Sequence, residues 1–358
     1  MSEWREYKLG EVCEIKYGKD HKKLADGKIP CYGSGGIMRY VEKPIFEDET
    51  VLIPRKGTLN NIFYVKTPFW SVDTIFWTKI NKSIIVPLYL YYLIKEIDFE
   101  SMNVGSAVPS LTTELLNAMG IRIISDINEQ KAIAEVLSSL DEKNDFLNRQ
   151  NKTLESLAET YFRQWFIEYA KEEWEEKGLD ETAEFLNGLP LQKYPYKSGK
   201  YLKAIKIKEL NNGFSNSSDL CNDQLPDKYI VNNGNIIFSW SGSLAIDYWK
   251  YGKGALNQHL FKVTPNDYPK WFCYQWINYY LTDFRGIATD KATTMGHIQR
   301  HHLSQAKVLV PKRHDLEQMN KIMDPITKKI ISNNNQIQTL QKLRDALLPK
   351  LINGVFCK

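Results

Sequence analysis

The chain has 358 residues, 43% hydrophobic and 25% charged, which excludes a disordered polyelectrolyte and leaves room for two or three domains. The net charge of +4 is unevenly spread: residues 191–313 carry 17 Lys and Arg against 8 Asp and Glu, a surplus suited to a polyanion partner, whereas residues 1–127 balance 16 against 16. The longest apolar run, Ile84–Ile94, is too short for a bilayer, Trp4-Arg5-Glu6-Tyr7-Lys8 is no secretory opening, and five scattered cysteines without a C-x-x-C pair favour a reducing cytoplasm over a disulfide scaffold.

Residues 1–126 read as a mixed α/β globule. Short β-branched and aromatic runs, Thr50–Ile53 and Ile62–Val65, are punctuated by Gly and Pro, and a helix is expected over Leu88–Glu96. Residues 127–177 read as one long helix. From Asn128 to Glu176 there is no Gly or Pro, and Leu137, Leu140, Asn144, Leu147, Asn151, Leu154, Ala158, Tyr161 and Trp165 step by three and four, the seam of a coiled coil. Some 44 helical residues would make a rod of roughly 65 Å that needs a second helix to cover its stripe. Residues 178–200, with Gly188, Pro190, Pro195 and Gly199, read as a linker whose part Asp180–Asn187 forms a short acidic helix. Residues 201–313 return to α/β texture, with strands near Asn235–Phe238 and Leu260–Val263 and a helix around Trp271–Leu281. Residues 314–354 supply the second helix: Met323, Ile326, Ile330, Asn333, Ile337, Leu340, Arg344, Leu347 and Leu351 repeat the seam.

The two halves repeat. Val51–Leu59 has a counterpart 185 positions on, Ile236–Leu244, with strand, polar tip, Gly, hydroxyl and Leu in the same order. Ser106–Leu111, leading to Leu116 and Ile121–Ile123, is echoed by Thr293–Ile298, leading to Leu303 and Val308–Val310. Seam residues recur at an offset of 186, as in Leu140 and Ile326. The fold class is therefore α+β: two α/β globules, a long antiparallel two-helix coiled coil, and an internal pseudo-twofold repeat.

No Walker-type phosphate loop, G-x-G-x-x-G, Asn-Pro-Pro-Tyr loop, G-x-S-x-G elbow or H-E-x-x-H helix is present, and Gly33-Ser34-Gly35-Gly36 lacks the lysine and helix of a phosphate loop. His297, His301 and His302, without a nearby Cys, read as a polar or nucleic-acid-facing surface rather than a metal site. The loop Arg55–Asn61 is more informative. It sets Arg55, Lys56, Thr58, Asn60 and Asn61 at the end of an apolar strand, where Arg can fork onto guanine and Asn onto adenine, and Gly57 allows close approach. Alone it reads as a solvated turn; its echo at Trp240-Ser241-Gly242-Ser243 turns the reading to recognition. Ser106, Ser110 and Thr112, then Thr293, Thr294 and His297, put small polar groups at helix entrances, and Gln258 and His259 precede a strand with similar chemistry. Trp70 and Trp77 read as core.

Three motifs carry a resemblance. They are Trp4-x4-Leu9-Gly10-Glu11-Val12; Glu129-Gln130-x2-Ile133-x3-Leu137 with Leu154-Glu155-x-Leu157-Ala158-x3-Phe162-x2-Trp165-Phe166; and Leu343-Arg344-Asp345-x-Leu347-Leu348-Pro349-Lys350-Leu351-Ile352-x-Gly354. Over essentially the whole chain this resembles the specificity subunits of type I restriction–modification systems. The second half departs in lacking a clear Trp-x-Leu-Gly opening. The resemblance implies two target recognition domains that each read half of a split, asymmetric site in double-stranded DNA, and a helix pair that sets their separation and docks methyltransferase subunits. A motor–nuclease subunit would join them. S-adenosylmethionine, ATP and Mg would sit on those partners, with no cofactor on this chain and no catalysis by it. Two alternatives are a non-catalytic coiled-coil scaffold linking two protein-binding globules, and a single-chain enzyme with an unfamiliar site.

Overall fold

The computed structural model describes residues 3–103, 108–290 and 296–353. The chain divides into two compact units, Met1–Lys143 with Leu340–Lys358, and Asn144–Thr339.

The first unit contains β1 (Trp4–Lys8), the one-turn helix α1 (Leu9–Val12), β2 (Cys13–Tyr17), β3 (Asp26–Gly33), β4 (Gly36–Val41), β5 (Thr50–Pro54), β6 (Phe63–Val65), β7 (Trp70–Ser71) and β8 (Ile75–Ile80). There follow α2 (Pro87–Lys95), α3 (Thr113–Ala118), β9 (Gly120–Ile124) and the start of α4 (Ile127–Arg163). The main sheet has the order β2-β8-β5-β6, all antiparallel; β4-β3-β7 forms a second sheet and β1-β9 a ribbon. Strand β5 is buried at every residue, as its unbroken apolar run requires. Its one polar side chain is matched within the sheet, the Thr50 hydroxyl donating to the Thr78 carbonyl at 2.8 Å. Val51, Ile53 and Phe76 pack with Tyr89, Leu90 and Leu93 of α2, which begins at Pro87, where the missing N–H is harmless.

Gln130 joins α4 to this core. It is fully buried; its amide donates to the Ile84 and Ile124 carbonyls (3.1 and 2.7 Å) and accepts from the Val86 N–H (2.8 Å). Gln130→Leu would leave three backbone groups without partners, so a loss on the order of 3 kcal/mol is expected in urea unfolding. An unchanged midpoint would show that those groups find other partners.

The second unit repeats the plan. Its elements are β10 (Glu175–Gly178), α5 (Leu179–Thr182), β11 (Ala183–Asn187), β12 (Tyr201–Ile205), α6 (Ile207–Asn212), β13 (Leu220–Asn222), β14 (Ile230–Val231), β15 (Ile236–Ser239) and β16 (Ile246–Tyr248). These are followed by β17 (Gly254–Leu256), β18 (Leu260–Pro265), α7 (Lys270–Asp290), α8 (Arg300–Gln305), β19 (Lys307–Val310) and α9 (Arg313–Asn353). The sheet β11-β18-β15-β16 matches β2-β8-β5-β6, the parallel pair β12-β17 matches β3-β7, and β10-β19 matches β1-β9.

Three expectations are corrected. Residues 178–187 are not linker: β10 pairs with β19 and β11 with β18, and the expected acidic helix is the single turn α5. The missing opening is also present, since Trp174-x4-Leu179-x-Glu181 stands where Trp4-x4-Leu9-x-Glu11 does in the first half. Leu9 and Leu179 are fully buried, and Glu11 and Glu181 each accept the N–H three residues before them, at 2.6 and 2.7 Å. The long helix also stops short of Lys177. It loosens into a wide turn at Gln164–Glu168, and Trp174 is then buried against Phe166. That burial diverts the chain into β10 without a Gly or Pro to signal the break.

Within each unit α4 and α9 run in opposite directions. In the first, Ile133 and Leu137 near the start of α4 share a core with Leu348 and Ile352 near the end of α9, and Arg344 pairs with Asp141 at 3.0 Å. In the second, Ala158 and Phe162 late in α4 share a core with Met319 and Met323 early in α9. The seam asparagines are buried: Asn151 donates to Asn334, and Asn333 donates to Asn151 and Gln150, each at 2.8 Å. Such a buried polar set penalises other registers of the pair.

Candidate nucleic-acid interface

In the first unit, the interior strand β5 ends just before Arg55, and the loop after it meets the segment before α3. Gly57, at φ +90°, donates its N–H to the Pro109 carbonyl (3.0 Å), and the Leu111 N–H donates to the Arg55 carbonyl (2.9 Å). A positive φ is strained for any residue with a Cβ, which accounts for glycine here. The two sequence segments singled out in this half thus form one surface. Arg55 donates to the Asp73 carbonyl (2.9 Å), lies 3.9 Å from the Asp73 carboxylate, and stacks 5.4 Å from the ring centre of Tyr17. Its fork is therefore held in place before any ligand arrives. Tyr17, half-exposed, also shares a hydrogen bond with Thr113 at 3.3 Å. Lys56 and Thr58 are exposed.

Several predicted side chains hold the loop instead. Asn60 accepts from the Phe99 N–H (2.9 Å) and donates to Asp98 (3.4 Å), and Asn61 donates to the Ser34 carbonyl (2.8 Å). Thr112 caps α3 by accepting from the Leu115 N–H at 3.2 Å, while Ser110 sits opposite Lys56 in a two-residue bridge.

The second unit reproduces the same joint. Gly242, at φ +65°, donates to the Gly296 carbonyl (2.8 Å), and the Ile298 N–H donates to the Trp240 carbonyl (3.0 Å). Ser241 lies opposite His297 as Lys56 does opposite Ser110. The chemistry differs. Trp240 sits 6.0 Å from the His259 ring and 6.2 Å from that of His297, and its indole donates to Asn187 at 3.0 Å. The Ser241 hydroxyl is buried and lies 3.1 Å from His259 Nδ1, and Gln258 lies 3.3 Å from His259 Nε2. Ser243 is exposed beside a cleft of about 550 Å³ that also borders Arg285. Gln258 and His259 line a second cleft, of about 290 Å³, with Lys206 and Lys208. Ser106, Thr293 and Thr294 lie outside the described residues.

His302 is buried and its Nδ1 accepts the Gln299 N–H at 2.9 Å, which caps the start of α8. No group of three metal-ligating side chains occurs among the described residues, and no helix there is long and apolar enough to cross a membrane. Tyr17 and Asn187 join these surfaces through sheet pairing, Asp73 from the turn between β7 and β8 and Lys208 from α6, with no signal in their own local sequence.

Comparison with known proteins agrees with this duplicated geometry. The model of the type I restriction modification DNA specificity domain matches twice, over residues 1–156 and 171–342. The type I restriction enzyme MjaIX specificity subunit of Methanocaldococcus jannaschii is 27% identical over 343 residues, covering 87% of this chain and 78% of its own. A putative type I specificity subunit of Mycoplasma genitalium is 28% identical over 175 residues, 46% of this chain and 45% of that one. The crystal structure of a type I restriction-modification S subunit from M. genitalium shares the fold, with a TM-score of 0.69 at 18% identity over 98% of this chain and 96% of that one. Two domain matches that together span most of the sequence place it: the chain belongs to the DNA specificity family of type I restriction–modification systems.

Proposed function

We propose that this chain reads a bipartite, asymmetric site in double-stranded DNA, one half per globule, as the non-catalytic subunit of a complex with methyltransferase and motor–nuclease subunits. The observation that carries this reading is the joint built twice, a positive-φ glycine donating to the segment before a short helix and that segment donating back, dressed with Arg55 and Lys56 in one copy and Trp240 and Ser243 in the other. One scaffold with two sets of tips fits two unlike half-sites. The helix pair sets the spacer between them and offers its exposed apolar side chains, among them Val136, Leu157 and Leu343, to the methyltransferase subunits. Those partners supply S-adenosylmethionine, ATP and Mg chemistry, in the cytoplasm.

Arg55→Ala and Ser243→Ala test the reading. In the complex assembled with its partners, each should relax selectivity in a different half-site, as seen by sequencing methylated DNA from a random pool. Loss of the held arginine should cost about 1–3 kcal/mol at one base pair. The chain without partners should transfer no labelled methyl group. Equal weakening on all sequences by both substitutions would make these residues phosphate anchors and refute the base-reading role.

A further inference from the structure

The first recognition surface has a neighbour that its loops do not explain. Strands β3 and β4 form a hairpin closed by Ser34-Gly35, and β4 is the outer strand of its sheet. On that strand Ile37, Met38 and Tyr40 are 50%, 59% and 51% exposed. An outer strand with adjacent apolar side chains in water invites unwanted pairing unless something covers it. The tip of the hairpin is fastened to the recognition loop: Asn61 donates to the Ser34 carbonyl at 2.8 Å, and a Cβ on Gly57 would meet the Ser34 hydroxyl oxygen at 3.3 Å. The other end is basic. Lys22, Lys23 and Lys28 are exposed, with Asp20 and Asp26 among them, and none of these three lysines has an ion pair among the described residues.

Resting on the DNA-reading function above, we propose that the β3–β4 hairpin enters the major groove of the first half-site, where Ile37 and Met38 contact thymine methyl groups while the lysines at its base lie over phosphates. The major groove is about 12 Å wide, and apolar side chains on the open edge strand β4 can reach the thymine methyl in it. At about 3.3 Å per residue, Lys28 stands roughly 17 Å from the turn, so the base can follow the backbone while the tip is in the groove. The phosphate contacts also supply what a globule of zero net charge otherwise lacks. In the second unit the matching strands β12 and β13 are joined instead through α6, with Lys208 beside Gln258 and His259. Its outer strand β13 exposes one apolar side chain, Leu220, so the adjacent Ile37–Met38 pair is private to the first half-site.

The test uses the complex assembled with its methyltransferase partners and random duplexes. The Ile37→Ser/Met38→Ser chain should lose preference at one or two thymine–adenine pairs of the first half-site and keep the second intact. Replacing thymine by deoxyuridine in that half-site should weaken the parent three- to tenfold and leave the variant unchanged. Lys22→Ala/Lys23→Ala should weaken all sequences alike and lower the salt dependence of log K by about one for each phosphate no longer neutralised. A variant that selects the parent's first half-site with the parent's affinity overturns the hairpin inference alone, as does a half-site without thymine. A folded variant that no longer assembles with its partners overturns it too, because the strand would then be a protein interface. A parent complex that selects no sequence refutes the DNA-reading function itself.

Discussion

A chain with one helical turn added to both α4 and α9 is expected to recognise the same two half-sites with a longer gap between them. Four residues inserted in each helix add about 6 Å at 1.5 Å per residue. At roughly 3.4 Å per base pair, this is one or two further unspecified pairs. The insertion belongs at facing seam positions, and neither the Arg55–Asn61 loop nor the Trp240–Ser243 loop is touched. Two readers that meet the same face of a duplex need contacts about one turn apart, roughly 10–10.5 base pairs, so the parent gap should be near 5–8 pairs once a few are read on each side. Sequencing the DNA methylated by the lengthened complex decides it. An unchanged gap, or altered half-sites, would show that the helices do not measure the spacing.

The largest loss of stability should come from Leu137→Asp. Leu137 is fully buried in an apolar cluster with Ile133, Leu348 and Ile352. An unpaired buried charge costs several kcal/mol, a large share of the 5–15 kcal/mol that holds a typical domain. Leu137→Ala, which only opens a cavity, should cost about 2–5 kcal/mol. The Asp variant should also carry a pH signature. Burial raises its carboxyl above the unfolded value near 3.9, so the folded state holds the proton longer and the deficit grows as pH rises through the folded pKa. Urea unfolding at pH 5 and pH 8 reads both effects. A midpoint equal to the parent's at either pH would mean that α4 is not packed on α9 there.

Much of this architecture was legible because it rests on periodicity. The three-and-four spacing around Asn144, Asn151 and Asn333 places those amides in the seam, where they are buried. The apolar run Thr50–Ile53 is the central strand β5. The second opening was hidden by substitution: Gly10 and Val12 become Asp180 and Thr182, and only Trp174, Leu179 and Glu181 keep their places. Its offset, 170 rather than 185, also falls outside the repeat visible elsewhere. At the site, residue type alone does not tell a reader from a brace. Asn60 and Arg55 both have the chemistry to read a base, but Asn60 uses both ends of its amide on the Asp98–Phe99 backbone and carboxylate. That distinction lives in distances that only folding sets.

The first unit is assembled from two segments separated in sequence by the whole of the second, and this bears on the order of events during synthesis. Leu348 and Ile352 complete the core around Ile133 and Leu137, yet they leave the ribosome after every residue of Asn144–Thr339. The second unit is contiguous and can close as soon as it is made. The first must wait with Ile133, Ala134 and Leu137 uncovered, the kind of apolar stripe that draws chaperones or aggregates in a nascent chain. A message truncated before Leu340 would therefore lack Leu348 and Ile352, so the segment from Leu340 onward closes a core whose other members were made long before it.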